Sequence, residues 1–481
     1  MRKGTAVRAL VWFRSDLRLA DNPALHDACR DSDQGVVAVY AVTPEQWAAH
    51  DDAPIKVGFR LRNLAMLSGA LAEKNIALRI IECPRFEGVP AMLRAMAQEH
   101  GCDAIYFNNE YEVNERERDE RVIDVFEEDG RGVHRFTDQC AFDPGELRTG
   151  KGGYYTVYSP FKRSWYRAYK DDTGRLTPLP VPRKRAEMIG KPDRVPQAVT
   201  GFEPPSNAAD IWPAGEKEAS RRLGNFLADK LLDYNEDRDF PDTPGTSALS
   251  PYLVSGAVSL RTCYHKAIEA NNGKVDSGSK GAVHWISELI WREFYKHLLV
   301  GFQRLSRHRA FKLETEELVW SDNDEHHEAW CEGRTGVPIV DAAMRQLTET
   351  GWMHNRLRMI VAMFYTKNLF LDWRRGERFF MRHLIDGDLS ANNGGWQWSA
   401  STGTDAAPYF RIFNPHSQSK KFDPEGAFIR RFVPELRDVD GGSIHDPGQI
   451  PGVLRSALGY PDPIVDVKVT RQAAIDAFQT L

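Results

Sequence analysis

A chain of 481 residues is longer than one ordinary hydrophobic core supports, so we expect two or three domains. Its apolar residues, 42% of the total, are dispersed among charged ones and never form a run of the ~20 needed to span a membrane. The net charge of −5 lacks the basic excess that is typical of nucleic-acid-binding proteins.

The sequence gives no sign of metal or disulfide chemistry. The six cysteines are scattered and form no CxxC pair, which is typical of a protein in a reducing compartment, and we expect a cytoplasmic location. The adjacent His326 and His327 would point apart on a helix and are poorly placed to share a metal ion.

The first 140 residues alternate two kinds of segment. RALVWF, GVVAVYAV, IALRIIE and DAIYFN are rich in Val, Ile and aromatic residues and predict strands, and the segments between them have helical spacing. This alternation predicts an α/β domain with a parallel, doubly wound, Rossmann-like sheet. The first predicted strand is not followed by G-x-G-x-x-G, which argues against a nicotinamide dinucleotide site.

Residues 141–215 carry prolines among charges, as in RLTPLPVPRKR and FEPPSNAADIWPAG, and predict a long interdomain linker. From 216 to 481 the pattern is almost wholly helical and predicts a large all-α domain. One stretch there, DGDLSANNGGWQWSASTGTDAAPYF at 386–410, reads as neither a clean helix nor a clean strand. It combines acids, amides and aromatics that an ordinary surface loop rarely contains.

Polar residues recur on one face of an otherwise apolar predicted helix, HWISELIWREFYKHLL. Trp285, Glu288, Arg292 and Tyr295 are spaced three or four apart. A polar stripe on a buried helix needs partners or a polar ligand. The alternative is an ordinary surface ion pair between Glu288 and Arg292.

A second predicted helix, in WMHNRLRMIVAMFY, has the same character. Asn355, Arg358 and Met359 lie on one side, with Arg356 turned about a quarter turn away. These residues favour a ligand-facing surface, and the alternative is core packing with two arginines reaching to solvent.

The segment GTSALSPYL places Thr246, Ser247 and Ser250 directly before Pro251, which predicts a helix start. Free backbone N–H groups at such a start can also bind a phosphate. Both readings stay open from spacing alone.

Taken together, GTSALSPYL, ELIWREFY, GWMHNRLRM and DGDLSANNGGWQWSASTGTDAAPYFRIFNP closely resemble the DNA photolyase and cryptochrome family, most of all its bacterial class I cyclobutane pyrimidine dimer members. The resemblance spans essentially the whole chain, including LVWFRSDLRLADNPAL near the start. It implies a carbon–carbon lyase that repairs DNA in the light, by transfer of one electron from excited reduced FAD to a flipped-out pyrimidine dimer. It also implies a monomer.

The resemblance places FAD in the helical domain, with Asn392 facing the flavin and Asp386 and Asp388 on the ribose and adenine side. Ala248 departs from the family pattern, which often has Arg there. The FAD contacts that the resemblance implies are Tyr234, Thr246, Ser247, Leu249, Ser250, Trp285, Arg292, Asn355, Arg358, Asp386, Asp388 and Asn392.

The resemblance also implies catalytic, electron-transfer and DNA-binding residues. Glu288, Asn355 and Asn392 would be catalytic, and the electron-transfer chain would comprise Trp396, Trp373 and Trp320. The implied DNA and dimer contacts are Glu288, Trp291, Arg292, Tyr295, Asn355, Arg356, Met359, Trp398, Arg411 and Ser417.

An antenna chromophore commonly binds the α/β domain in this family, and Asn114 and Glu115 match the 5,10-methenyltetrahydrofolate type. Arg307 stands where close relatives carry Lys near the folate. The chief rival is a cryptochrome, a photoreceptor without repair activity, although Asn392 is retained here. A (6-4) photolyase would need a histidine pair, where this chain has Asn355 and Met359.

Overall fold

A computed structural model describes residues 7–481, so the first six residues of the predicted N-terminal domain lie outside it. The chain divides into two compact units. The first comprises the chain up to Leu232 together with Ser247–Gln303, and the second comprises Asp233–Thr246 together with Arg304–Leu481. The domain boundaries at residues 140 and 215 stay a prediction.

The first unit contains a five-stranded parallel sheet, in the order β3-β2-β1-β4-β5. Alternate residues of the central strand pack on opposite faces, since Val11 belongs to one apolar cluster and Trp12 to another. Both faces are therefore covered, as the continuous apolar runs predict. The strands are Ala9–Phe13 (β1), Val36–Val42 (β2), Ala77–Glu82 (β3), Ala104–Asn108 (β4) and Gly132–Phe136 (β5).

The rest of the regular structure is helical, and the predicted fold class is confirmed: a Rossmann-like α/β part and a large all-α part. The helices up to residue 301 are Pro23–Asp31 (α1), Pro44–Ala49 (α2), Pro54–Glu73 (α3), Val89–Glu99 (α4), Val113–Glu128 (α5), Tyr158–Asp171 (α6), Ala208–Ile211 (α7), Glu216–Asp229 (α8), Tyr234–Asp237 (α9), Ser250–Ser255 (α10), Leu260–Ala270 (α11) and Lys280–Gly301 (α12). Those that follow are Asp324–Cys331 (α13), Pro338–Thr350 (α14), Asn355–Met363 (α15), Trp373–Met381 (α16), Leu389–Ala400 (α17), Pro415–Phe422 (α18), Ala427–Phe432 (α19), Gly452–Ala457 (α20) and Val467–Gln479 (α21).

Short 3₁₀ turns and one π-helical turn connect these helices. The π-helical turn Phe364–Asn368 directly continues α15. The 3₁₀ turns are Phe86–Gly88, Thr173–Leu176, Leu305–Arg307, Leu313–Glu317, Pro434–Leu436, Gly441–His445 and Pro447–Gln449. Within residues 7–481, no helix is both long and apolar enough to cross a bilayer.

The segment predicted as a linker holds more structure than its composition indicates. It contains α6, which buries Phe161 and Trp165 and packs Phe161 against Phe294 of α12, with 5.3 Å between ring centroids. Apart from Thr173–Leu176, residues 172–207 form no helix or strand, as the prolines predict.

The ambiguous stretch at 386–410 contains a regular helix, α17. Its amides and glycines are weak helix formers. The Asp388 side chain accepts a hydrogen bond from the Ala391 backbone N–H at 3.1 Å and so caps the helix start. Asn393 and Trp396 are buried on its inner face. Capping and packing therefore outweigh the poor intrinsic propensity of this segment.

Candidate functional site

The buried carboxylate of Asp386 fixes the orientation of the Arg358 guanidinium on α15. Asp386 accepts hydrogen bonds from Arg358 Nη2 on both oxygens, at 3.0 and 2.9 Å, and Arg358 Nε donates to the Met353 carbonyl at 2.8 Å. The Asp386 side chain is 3% exposed and that of Arg358 is 27% exposed. The carboxylate thus holds the Arg358 guanidinium in one orientation, while Asp388 caps the start of α17.

The Asn392 amide is anchored by its nitrogen. Its Nδ2 donates to the backbone carbonyl of Glu377 at 3.0 Å, which turns Oδ1 the other way. The Glu377 carboxylate is buried and accepts from Asn393 Nδ2 and from His308 Nδ1, both at 2.9 Å. Gln397 continues the network by donating to Asn393 Oδ1 at 2.8 Å. Buried polar networks of this kind fix side-chain orientation.

Two predicted substrate residues on α15 differ in their surroundings. Asn355 is exposed, and its Nδ2 lies 3.9 Å from Met359 Sδ. Arg356 forms an ion pair with Asp239 at 2.7 Å, and its guanidinium lies 4.4 Å from the ring centroid of Phe422. Asp239 was missed by sequence analysis because it lies far from α15 along the chain.

Three further predicted DNA contacts lie in the second unit. Trp398 is partly buried on α17. Arg411 and Ser417 are exposed, and the Ser417 backbone N–H donates to the Asn414 side chain at 3.0 Å, which caps α18. Surface exposure is what a phosphate contact requires.

Glu288, Arg292 and Tyr295 of the predicted α12 stripe are partly exposed, whereas Trp285, its fourth predicted member, is buried. Glu288, Trp291, Arg292 and Tyr295 are partly exposed at helical spacing, on a helix whose other positions are mostly buried. Trp285 lies one turn before them and is 3% exposed. This face of α12 is therefore suited to a large ligand with both aromatic and polar parts.

Trp291 is held flat by a residue that sequence analysis missed. The ring of Tyr158 stacks on it with 3.6 Å between centroids and 9° between planes. The Tyr158 hydroxyl lies 2.6 Å from the Ser287 carbonyl, to which it can donate. The stack and the hydrogen bond together restrict the indole to one plane.

The hydroxyl-rich segment leads into α10, as predicted. Ser250 begins the helix and Leu249 before it is buried. Ala248 has a φ of +48°, in the left-handed region, so the chain turns sharply just before the helix. Ser247, Leu249 and Ser250 belong to the first unit, whereas Tyr234 and Thr246 belong to the second.

The predicted antenna residues contact a histidine that sequence analysis missed. Asn114 Nδ2 lies 2.8 Å from His50 Nε2, and His50 Nδ1 lies 3.4 Å from Glu115 Oε1. Burial, reinforced by the carboxylates of Glu112 and Glu110, raises the pKa of Glu115 to about 8. Glu115 Oε2 is buried and has no hydrogen-bond partner among the described residues. A protonated carboxyl of this kind can both donate and accept a hydrogen bond.

The third predicted antenna residue, Arg307, is exposed and lies in the second unit. Its role stays a prediction.

Two of the three predicted electron-transfer tryptophans are buried, and the third is partly exposed. Trp396 and Trp373 are 2% and 1% exposed in one apolar cluster, and Trp320 packs against that cluster while partly exposed. The Trp396 indole lies against Gly376 of α16, so closely that a Cβ there would come 2.2 Å from a ring carbon.

Among residues 7–481, one group of possible metal ligands lies close together, and two of its members, Glu293 and His297, are on the buried side of α12. Ligand atoms of Cys140, Glu293 and His297 lie within 4.8 Å of one another. The Glu293 carboxylate already accepts hydrogen bonds from Tyr264 at 2.7 Å and Trp165 at 3.2 Å, and burial raises its pKa to about 7. Burial also raises the pKa of the Cys140 thiol well above its usual range. This cluster serves to join helices through hydrogen bonds.

Within each unit, the groups described above have chemistry that suits part of a flavin dinucleotide. Arg358 is a fixed cation that can pair with a phosphate or ribose oxygen. Asn392 presents a neutral amide whose orientation is set by Glu377. A helix start with hydroxyls precedes Pro251.

Comparison with known proteins identifies the family. The family model described as the FAD binding domain of DNA photolyase matches residues 285–480, and the one described as DNA photolyase matches residues 9–183. The deoxyribodipyrimidine photo-lyases of Escherichia coli and Salmonella typhimurium are 45% and 44% identical to this chain, over 98% of each protein. The chain belongs to the DNA photolyase family.

Solved structures agree with this assignment. A class III photolyase from Agrobacterium tumefaciens is 33% identical and superposes with a TM-score of 0.86, over 99% of this chain and 98% of its own. A cryptochrome from Synechocystis is 25% identical with a TM-score of 0.87, over 98% of this chain and 100% of its own. The fold is thus shared by a protein named photolyase and one named cryptochrome, and the fold alone does not distinguish them.

Proposed function

We propose that this chain splits cyclobutane pyrimidine dimers in DNA, in a light-driven reaction with reduced FAD as its cofactor. One observation carries the proposal: 45% identity over 98% of the chain to a protein named deoxyribodipyrimidine photo-lyase. The substrate-side residues support it, because Asn355 and Met359 stand where a (6-4) photolyase would need histidines.

The α12 stripe has the properties needed to bind a flipped-out dimer. A pyrimidine dimer stacks poorly in the duplex, so its extrusion costs less than the few kcal/mol of a normal base. Trp291, held flat by Tyr158, offers an apolar wall. Glu288 on the same face can hydrogen-bond the edge of a pyrimidine ring and stabilise charge that develops there.

Bound FAD supplies the one-electron chemistry, and the protein supplies binding, orientation and electrostatics. In the second unit, Asn392 offers the flavin a hydrogen bond without adding charge, since its amide is neutral and anchored on the Glu377 carbonyl. Arg358 offers a cation whose orientation Asp386 fixes. In the first unit, the backbone and hydroxyls of Ser247 and Ser250 are proposed to bind phosphate.

The three tryptophans would return the flavin to its reduced form, with electrons passed outward to inward from Trp320 through Trp373 to Trp396. Trp320 is partly exposed whereas Trp373 and Trp396 are almost fully buried, which supports Trp320 as the outer end of this order. The antenna proposal depends on Asn114 and Glu115. The Oε2 atom of Glu115 has no hydrogen-bond partner among the described residues, and this property and the raised pKa of the carboxyl support binding of a folate ring. A monomeric state and a cytoplasmic location are also proposed, the latter because all six cysteines are unpaired.

The test is repair of dimer-containing oligothymidine by the purified, flavin-loaded chain in light and in darkness. We expect dimers to disappear only in the light. Glu288→Gln should slow repair per bound substrate, whereas Glu332→Gln, at a 60% exposed carboxylate, should leave it unchanged. A chain that binds and photoreduces flavin but leaves every dimer intact would overturn the proposal and favour a photoreceptor.

A further inference from the structure

A buried tyrosine and a histidine form a hydrogen-bonded pair beside Trp396. Tyr365 is 0% exposed, and its hydroxyl lies 2.8 Å from His327 Nδ1. Its ring meets the Trp396 indole edge to face, with 5.7 Å between centroids and 88° between planes. The Trp330 ring packs against both rings, with its centroid 4.6 Å from that of Tyr365 and 6.0 Å from that of Trp396. All four residues lie within the second unit.

The histidine is oriented as a base toward the phenol. His327 Nε2 lies 3.5 Å from Cys331 Sγ, one helical turn later on α13, so the tautomer with its proton on Nε2 can donate to sulfur. The lone pair on Nδ1 then accepts the Tyr365 O–H. Burial, followed by the nearby Arg375, lowers the pKa of His327, which keeps the ring neutral at physiological pH.

The tryptophans beside this pair have no comparable base. Trp396 Nε1 is buried and has no hydrogen-bond acceptor among residues 7–481, and Trp330 Nε1 donates to the Val361 carbonyl at 3.3 Å. Tyr365 also lies in the π-helical turn Phe364–Asn368, a departure from α-helix geometry that is frequent at functional positions. A buried tyrosine hydroxyl commonly finds some partner. Here that partner is a proton acceptor, and the ring touches an electron-transfer residue.

We propose that Tyr365 and His327 form a proton-coupled electron donor to Trp396, on a branch separate from Trp373 and Trp320. This inference rests on the proposed function, in which bound flavin would supply the light-driven one-electron oxidation of Trp396. The resulting Trp396 radical cation is the oxidant. It takes one electron from Tyr365, the phenolic O–H bond breaks, and the proton bonds to His327 Nδ1. The products are neutral Trp396, a neutral tyrosyl radical and a histidinium ion, so charge and atoms balance.

The proton transfer gives this electron-transfer branch its function, which is to prolong the reduced state of the cofactor. Oxidised phenol is a strong acid, and once its proton is on His327 the return of an electron to Tyr365 is slower, because it must either bring the proton back or leave a buried tyrosinate. The radical then resides on Tyr365 instead of Trp396, which prolongs the reduced state of the cofactor. This role is accessible to Tyr365 because its hydroxyl and its ring face different partners.

The test uses the full flavin-loaded chain with oxidised flavin, a light pulse, time-resolved absorption and electron paramagnetic resonance of frozen samples. In the unmutated protein we expect a neutral tyrosyl radical whose spectrum narrows when tyrosine, but not tryptophan, is ring-deuterated. Its formation should slow in D₂O. This labelling needs no substitution, so it does not depend on any variant folding.

Variants locate the radical. Tyr365→Phe should abolish the tyrosyl signal while tryptophan radicals persist, and Tyr409→Phe, at a ring stacked on Phe478 in the same unit, should leave it unchanged. His327→Gln keeps a hydrogen-bond acceptor but no base, and should remove both the tyrosyl signal and the D₂O effect.

Two results would overturn the proposed role of Tyr365 and His327. One is that radicals form on tryptophan alone in the unmutated protein, and the other is that a tyrosyl signal survives Tyr365→Phe or His327→Gln. Flavin that photoreduces and repairs dimers without a tyrosyl radical refutes this inference and leaves the proposed function standing. A chain that binds no flavin gives no radical at all and refutes both.

Discussion

Gly376 leaves room for the Trp396 indole, and filling that room should disturb both stability and photoreduction. A Cβ at Gly376 would lie 2.2 and 2.5 Å from two ring carbons of Trp396, well inside van der Waals contact. The indole cannot easily retreat, because Phe380 and Tyr365 pack against it at 5.1 and 5.7 Å between centroids. Gly376→Ala therefore forces a shift of about 1 Å in a close-packed core.

The magnitude follows from two opposing effects. Overpacking a core costs up to ~3 kcal/mol, whereas Ala in place of Gly within a helix gains ~1 kcal/mol. With several ring atoms in conflict, we expect the free energy of unfolding to fall by about 2 kcal/mol. Gly224→Ala is the matched control, because α8 leaves nothing within 4 Å of its new Cβ. That variant should be as stable as the unmutated protein or up to ~1 kcal/mol more stable.

The assays are urea unfolding of both variants, near-ultraviolet circular dichroism for indole packing, and the rate of flavin photoreduction. Gly376→Ala should be less stable, with an altered aromatic spectrum and slower photoreduction, because Trp396 has moved relative to its neighbours. A Gly376→Ala protein with the stability gain of Gly224→Ala and an unchanged photoreduction rate would refute this interpretation of the core.

Three further outcomes are expected. Asp386→Asn removes the counter-charge of the Arg358 guanidinium, so it should lower the free energy of unfolding by ~1.5–3 kcal/mol and weaken FAD binding. Urea unfolding and flavin titration measure these two effects. Glu332→Gln, at an exposed ion pair, is the control and should change stability by less than ~0.5 kcal/mol. The pKa of Glu115 is about 8 in the folded chain, against ~4.3 for an unperturbed glutamate, so stability should fall as pH rises between these two values, by up to ~1.4 kcal/mol per pH unit. Glu115→Gln should abolish this slope in unfolding measurements, and an unchanged slope would contradict the assignment. Arg411→Ala should weaken DNA binding and make the salt dependence shallower by ~0.9 for each phosphate that is no longer neutralised, while Arg30→Ala, at an exposed arginine of the first unit, should leave both unchanged.

Local periodicity predicted the elements that depend on nearby residues. The parallel sheet follows from apolar runs such as 36–42, whose residues are nearly all buried. The α12 stripe follows from helical spacing, since Glu288, Arg292 and Tyr295 repeat every three or four residues on a helix buried elsewhere. The roles of these residues came from resemblance, because spacing alone is equally compatible with a surface ion pair.

Partners that are distant along the chain were beyond sequence reasoning. Tyr158 lies 133 positions before Trp291, Asp239 lies 117 before Arg356, and His50 lies 64 before Asn114. Each pairing is created by tertiary packing, and a single sequence carries no signal for it. The helix α17 was missed for a related reason, because its cap and buried face outweigh the low propensity of its amides and glycines.

The contacts of His327 cannot be predicted from its neighbours along the chain. As one of two adjacent histidines on α13, it is poorly placed to share a metal ion with His326, because neighbours on a helix point apart. The same geometry frees it to meet residues from elsewhere: Cys331 one turn later on α13, and Tyr365 beyond α15. The pair His326–His327 thus gives no indication of a function for His327, yet His327 is placed to accept a proton beside Trp396. The isotope experiment on Tyr365 decides whether it does.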